Sequence, residues 1–260
     1  NPMYRDPAKP AFATVTFKGG GDAAAAARTV LETGEFDYAW NLQIDPAILS
    51  DMEAAGKGTV ISSFGTAVER LMVNLSNPDA ALGDKRSTLA GGPHPFLTDP
   101  AVRKALSVSI DRSLLAEVGY GAAGKPTCNV VPGPAIYVST ANDDCLVQDI
   151  AKANNILEAA GWKRGSDGVR SKDGVRLSIL YQTSTNAVRQ DTQAFIKQWW
   201  SEIGVETELK NISASVFFGG DQSSPDTYQK HFSDIEMYTN IFSGTDPEAY
   251  MGSWVCSEHP

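Results

Sequence analysis

An α/β fold with strand–helix–strand crossovers is the class this sequence predicts, and three observations predict it. Short β-branched segments alternate with amphipathic stretches along the chain. Several stretches open on Asp, twice followed by Pro, and close on Gly, the punctuation of helices. Apolar residues make up 42% and charged residues 20%, enough to bury a real core.

The elements follow in order. The opening NPMYRDPAKPAF is a Pro-rich, extended lead-in. ATVTFK (13–18) alternates and reads as a strand. GGGD turns into a helix with Asp22 as N-cap and Gly34 past its end. Its Gly-rich start resembles a phosphate loop but lacks the G-K-[ST] ending, so turn plus cap is the reading. FDYAWNL (36–42) is a second strand. Asp45 caps the next helix, with Pro46 at its first position. TVISSF (59–64) and VERLMVNLS (68–76) are two extended segments in quick succession, and 77–96 is a loop.

Asp99 and Pro100 open a helix whose Val102, Ala105, Leu106, Ser109 and Ile110 share one face. Asp111 restarts a short helix ending at Gly119. Residues 147–161 form an amphipathic helix with Ile150, Ala153, Leu157 and Ala160 on one side. SDGVRSKDG holds two D-G turns around a short strand. A strand (175–184), a long helix (185–204) and a strand (204–213) follow. In that helix Phe195, Trp199 and Ile203 form a core stripe, and Trp200, off the stripe, reads as a lobe-packing residue. SASVFFGG is a short helix, SDIEMYTNI a strand and DPEAYMGSW a helix start.

The net charge of −9 is the wrong sign for a non-specific nucleic-acid binder. No apolar run approaches the roughly 18 to 20 residues that span a bilayer. Three cysteines, Cys128, Cys145 and Cys256, form no C-x-x-C pair, and the three histidines are scattered, so neither a metal site nor a cofactor is expected. Cys128 and Cys145 bracket a Pro/Gly-rich loop without periodicity. They read as a disulfide in an oxidising compartment, or as two buried free thiols. Cys256 is then left over, its partner expected beyond the end of the chain. No G-x-S-x-G elbow or nucleophile–base order is legible, so no catalytic residue is assigned and no enzyme is expected.

HPFLTDPAVRKALSVSIDRSLLAEVGYGAAGKPT resembles the signature of the family 5 extracellular solute-binding proteins, the receptors of peptide, nickel and related ABC importers. Pro95, Phe96, Val102, Arg103, Ala105, Leu106, Ile110, Asp111, Arg112, Gly124 and Pro126 stand in its pattern. NPMY, TGEFDYAW, AKANNILEAAGW, FIKQWWSEIGVETEL and FSDIEMYTNIFSGTDPEAY resemble further family segments in the right order. The resemblance implies a periplasmic-binding-protein-like α/β fold of type II, from the dipeptide/oligopeptide cluster. The chain would be a middle-to-C-terminal fragment: residues 1–62 part of a first lobe, residues 63–260 most of a second, with 59–76 crossing between them. It implies an exported, periplasmic, monomeric receptor that captures peptides or peptide-like solutes and hands them to permease subunits in the inner membrane, without contact with nucleic acid. A ligand-sensing or chaperone-like module on the same fold, or an α/β hydrolase, are the alternatives.

For ligand contact, Trp40 and Asn41 stand at a predicted strand end, where clefts form in α/β proteins. Trp40 lines a cleft or packs in the core, and the same alternatives hold for Phe64 and Tyr238. Peptide-binding members carry an Asp for the peptide amine before the D-P turn. Here Asn240 or, with another gap, Ser243 matches that place, and neither is charged. Asp246 contacts ligand or caps the helix that follows.

Overall fold

A computed structural model describes residues 5–6, 9, 12–221, 223–241, 244 and 246–254. The chain divides into two compact units, residues 1–42 with 49–60, and residues 43–48 with 61–260.

In the first unit, α1 (Ala23–Leu31) starts where Asp22 accepts a hydrogen bond from the Ala25 amide at 2.9 Å. It buries Ala27 and Leu31, and Gly34 past its end takes a positive φ of 68°. Helix α2 (Pro46–Glu53), whose residues up to 48 are counted with the second unit, opens with Asp45 accepting from the Ala47 amide at 2.7 Å. The expected strands at 13–18 and 36–42 are not formed, and neither is one at 59–64. Alternation specifies an extended chain, but a strand also needs a hydrogen-bonded neighbour, and none of the described residues pairs with these segments. Their apolar side chains stand in the open, Val15, Phe17, Tyr38 and Ile61 among them.

The second unit is built on four strands: β1 (Ala67–Val73), β5 (Ser178–Ser184), β6 (Glu206–Ile212) and β7 (Ile235–Ile241), in the order β1-β7-β5-β6. β5 runs parallel to β6 and to β7, whereas β1 is antiparallel to β7. The parallel β5–β6 pair is joined by α6 (Ala187–Glu202), the crossover that the sequence predicts. Helices α3 (Pro100–Val108), α4 (Arg112–Tyr120) and α5 (Ile150–Ala159) begin at the side chains of Asp99, Asp111 and Asp149, each accepting from an amide of the first turn. A small antiparallel sheet, β2 (Lys163–Arg164), β3 (Arg170–Lys172) and β4 (Val175–Arg176), turns at Asp173–Gly174, both with positive φ, as a D-G hairpin requires. The 77–96 loop is not wholly irregular: it holds two 3₁₀ turns, Ala80–Lys85 and Leu89–Gly91.

The core lies between the sheet and α3, α5 and α6. Trp200 is not a lobe-packing residue. It is fully buried, tilted against Tyr181 at 5.9 Å, and its Nε1 donates to the Leu106 carbonyl at 3.2 Å. Adjacent Trp199 and Trp200 both find cover because α6 packs into the core on more than one side. The His94-Pro95-Phe96 lead has a mechanical role. His94 is buried, its Nδ1 accepts from the amides of Phe96 and Leu97, and its Nε2 meets Asp234 at 2.8 Å. Asp234 in turn accepts the Leu180 amide of β5, so this one turn is pinned to the sheet.

Cys128 and Cys145 form a disulfide with Cα atoms 6.0 Å apart. Cys256 lies outside the described residues.

Candidate ligand-binding site

Ligands of open α/β sheets collect outside the carboxyl ends of parallel strands. In the second unit those ends are Ser184, Ile212 and Ile241. Because β1 is antiparallel, its amino end lies at the same edge: Ala67 pairs with Ile241, Val68 with Asn240 and Glu69 with Thr239. Side-chain alternation then divides the edge into two faces.

Glu69 and Thr239 share the helix-covered face. Arg189, in the first turn of α6, grips Glu69 with two bonds, Nε to Oε1 at 3.0 Å and Nη2 to Oε2 at 3.2 Å. Its Nη1 donates to the Ser184 hydroxyl at 2.6 Å. Thr239 Oγ1 donates to Glu69 Oε2 at 2.5 Å, and the Tyr120 hydroxyl donates to the same oxygen at 3.3 Å. Gln43 Nε2 approaches the same carboxylate at 3.5 Å, while its Oε1 accepts from Asn186 at 2.9 Å. Arg189 is only 6% exposed. A buried pair holds only when its remaining donors and acceptors are satisfied, and here they are. Burial, with the Glu69 charge beside it, pushes the Tyr120 phenol well up, so it stays a protonated donor to that carboxylate.

The other face carries Arg70 and Tyr238, which pair directly across β1 and β7. Tyr238 packs beside Tyr228 (5.0 Å) and Phe217 (6.4 Å), the latter from α7 (Ala214–Phe217). The Arg70 guanidinium sits 5.6 Å from the Tyr238 ring, 5.8 Å from Tyr250 and 4.8 Å from Trp254. Tyr250 belongs to α8 (Glu248–Gly252), and Arg70 Nη1 donates to its hydroxyl. Burial raises the Tyr238 phenol, and Arg70 pulls against that rise.

The structure places the sequence-predicted residues as follows. Tyr238 is buried in the aromatic group, and Asn240 lies part-buried at the edge with its Oδ1 accepting from the Ile241 amide at 3.0 Å. Phe64 precedes β1 and is 65% exposed. Asp246 accepts the Glu248 amide at 2.9 Å, but it stands one residue ahead of the N-cap of α8, which is Pro247. Ser243 lies outside the described residues. In the first unit Trp40 is 70% exposed rather than core, and Asn41 has a positive φ of 58°. Neither ends a strand, since 36–42 forms none. Sequence reasoning missed Glu69, Arg70 and Arg189. The signal was available: a Glu-Arg pair inside the apolar run VERLMV is out of place unless both charges are used.

Comparison with known proteins agrees with this architecture. The profile of bacterial extracellular solute-binding proteins, family 5 Middle, matches residues 1–259. The oligopeptide-binding protein OppA of Mycobacterium bovis is 36% identical over 140 residues, 50% of this chain and 22% of that protein. An ABC transporter substrate-binding protein from Sinorhizobium meliloti is 25% identical with a TM-score of 0.55, over 88% of this chain and 41% of that one. NikZ from Campylobacter jejuni, solved with Ni(L-His), is 19% identical with a TM-score of 0.64, over 88% of this chain and 40% of that one. The chain thus spans about two-fifths of the solved relatives it matches. Their fold is the periplasmic-binding-protein-like α/β fold, and this chain has it. The matched family is one of binding proteins rather than catalysts, and it is extracytoplasmic, in keeping with the disulfide. The chain belongs to family 5 of the bacterial extracellular solute-binding proteins.

Proposed function

We propose that this chain is part of the substrate-binding receptor of an ABC importer that captures peptides or peptide-like solutes and delivers them to membrane permease subunits. The observation that carries the reading is the family match over residues 1–259, together with a relative named as an oligopeptide-binding protein at 36% identity. Residues 1–62 belong to one lobe and 63–260 to the other, and ligand stabilises their closed state. Trp40 and Asn41 on the first lobe, and Phe64, Tyr238, Asn240 and Asp246 on the second, contact the ligand. The exposed rings of Trp40 and Phe64 suit apolar side chains, and the Asn41 and Asn240 amides suit a peptide backbone. The receptor works as a monomer. Native mass spectrometry of the natural protein purified from its host tests this. A peptide-sized adduct released on denaturation is expected; a bare protein that also takes up no peptide would overturn it.

A further inference from the structure

Arg70 stands apart from the ion pairs of the second unit. Among the described residues its guanidinium has only neutral partners: the Met72 sulfur at 3.0 Å from Nε, the Tyr250 hydroxyl, and the rings of Tyr238, Tyr250 and Trp254. The acids along the strands pair with groups other than Arg70. Glu69 is on the opposite face, held by Arg189. Glu236, two residues before Tyr238 and on the same face, accepts from Ser233 at 3.2 Å and stands 3.4 Å from His231, and makes no ion pair with Arg70. Among the described residues Arg70 is therefore a part-buried cation without an ion pair, near the carboxyl edge of the sheet. Aromatic rings against a guanidinium hold its plane and strip water from its faces; with Nε on the Met72 sulfur and one Nη1 proton on the Tyr250 hydroxyl, the Nη2 protons and the second Nη1 proton are left to donate in the plane. That is the geometry for a bidentate carboxylate or a similar anion. At the same edge Asn240 offers no negative charge to an ammonium group.

We propose that Arg70, boxed by Tyr238, Tyr250 and Trp254, binds a negatively charged group of the ligand, so that the receptor selects anionic peptide-like solutes with an uncharged amino end. This rests on the receptor reading above. The test uses the natural protein as its host makes it and two probes: a pool of N-acetylated random tripeptides with free carboxylates, and the same pool as carboxamides. Capture is read by native mass spectrometry and liquid chromatography. At least tenfold preference for the free-acid pool is expected, reduced to near parity by Arg70→Gln and largely kept by Arg70→Lys. A role confined to pinning α8 would move stability and leave the preference intact. Equal capture of both pools by the unmodified protein overturns the inference and leaves the receptor standing; this arm needs no variant to fold. Capture from neither pool overturns the inference and the peptide reading together.

Discussion

Removing the Glu69 side chain is the sharpest perturbation of the edge that supports the site. Glu69→Ala leaves the Arg189 guanidinium, almost wholly buried, without its counter-charge. It also deprives Thr239 and Tyr120 of their acceptor. Breaking a buried pair from one side costs about 3–5 kcal/mol, because the surviving charge stays desolvated. Arg189→Met should cost less, since Glu69 keeps its bonds from Thr239 and Tyr120. With both charges gone, in Glu69→Ala/Arg189→Met, much of the loss should return, a coupling of about 2–3 kcal/mol. The assay is urea unfolding followed by tryptophan fluorescence, with Trp200 buried near the pair's helix as reporter. A Glu69→Ala cost below about 1 kcal/mol, with single effects that simply add, would refute the reasoning.

Further outcomes follow from other contacts. Replacing Cys128 and Cys145 by Ala should lower stability by about 3 kcal/mol, the chain-entropy value for a loop of this size, read as a shift in urea midpoint. Gly119→Ala should destabilise although Ala favours helix by about 1 kcal/mol, because the new Cβ would meet Val188 Cγ1 at 2.8 Å; a rise in melting temperature would contradict the α4–α6 packing. Trp200→Ala should cost about 3–5 kcal/mol through its cavity. The carboxylate of Glu158 is held below its usual range by hydrogen bonds from Lys163 and then Arg170. A depressed carboxylate stabilises above its unfolded value and loses that contribution as pH falls through the folded one. Lys163→Gln should therefore move the Glu158 titration upward by NMR, and an unmoved titration would discard that ion pair.

The helices were legible because their signals are local. Asp22, Asp45, Asp99 and Asp111 each sit before a helix and each accepts a first-turn amide. The strand–helix–strand run of β5, α6 and β6 was legible for the same reason. The segments 13–18 and 36–42 misled because pairing is not local: β-branched alternation is satisfied by any extended chain. Trp200 misled because a single stripe was assumed for a helix whose neighbours cover more than that stripe. Tyr238 and Asn240 were singled out through strand position and family pattern, and Phe64 through its place at the expected crossing between lobes. The Glu69–Arg189 pair joins residues 120 positions apart, and no periodicity reports such a partnership. Arg70 was hidden by its strand, which reads as a crossing segment until its register with Tyr238 is known.

The measurement closest to the central claim is recovery of the captured solute. The natural protein, incubated with a defined peptide pool and then denatured, should give back its ligand chemically unchanged and in molar amount near one per protein. Peptide returned cleaved or altered, with more than one molecule consumed per protein, would contradict a molecule that grips without transforming.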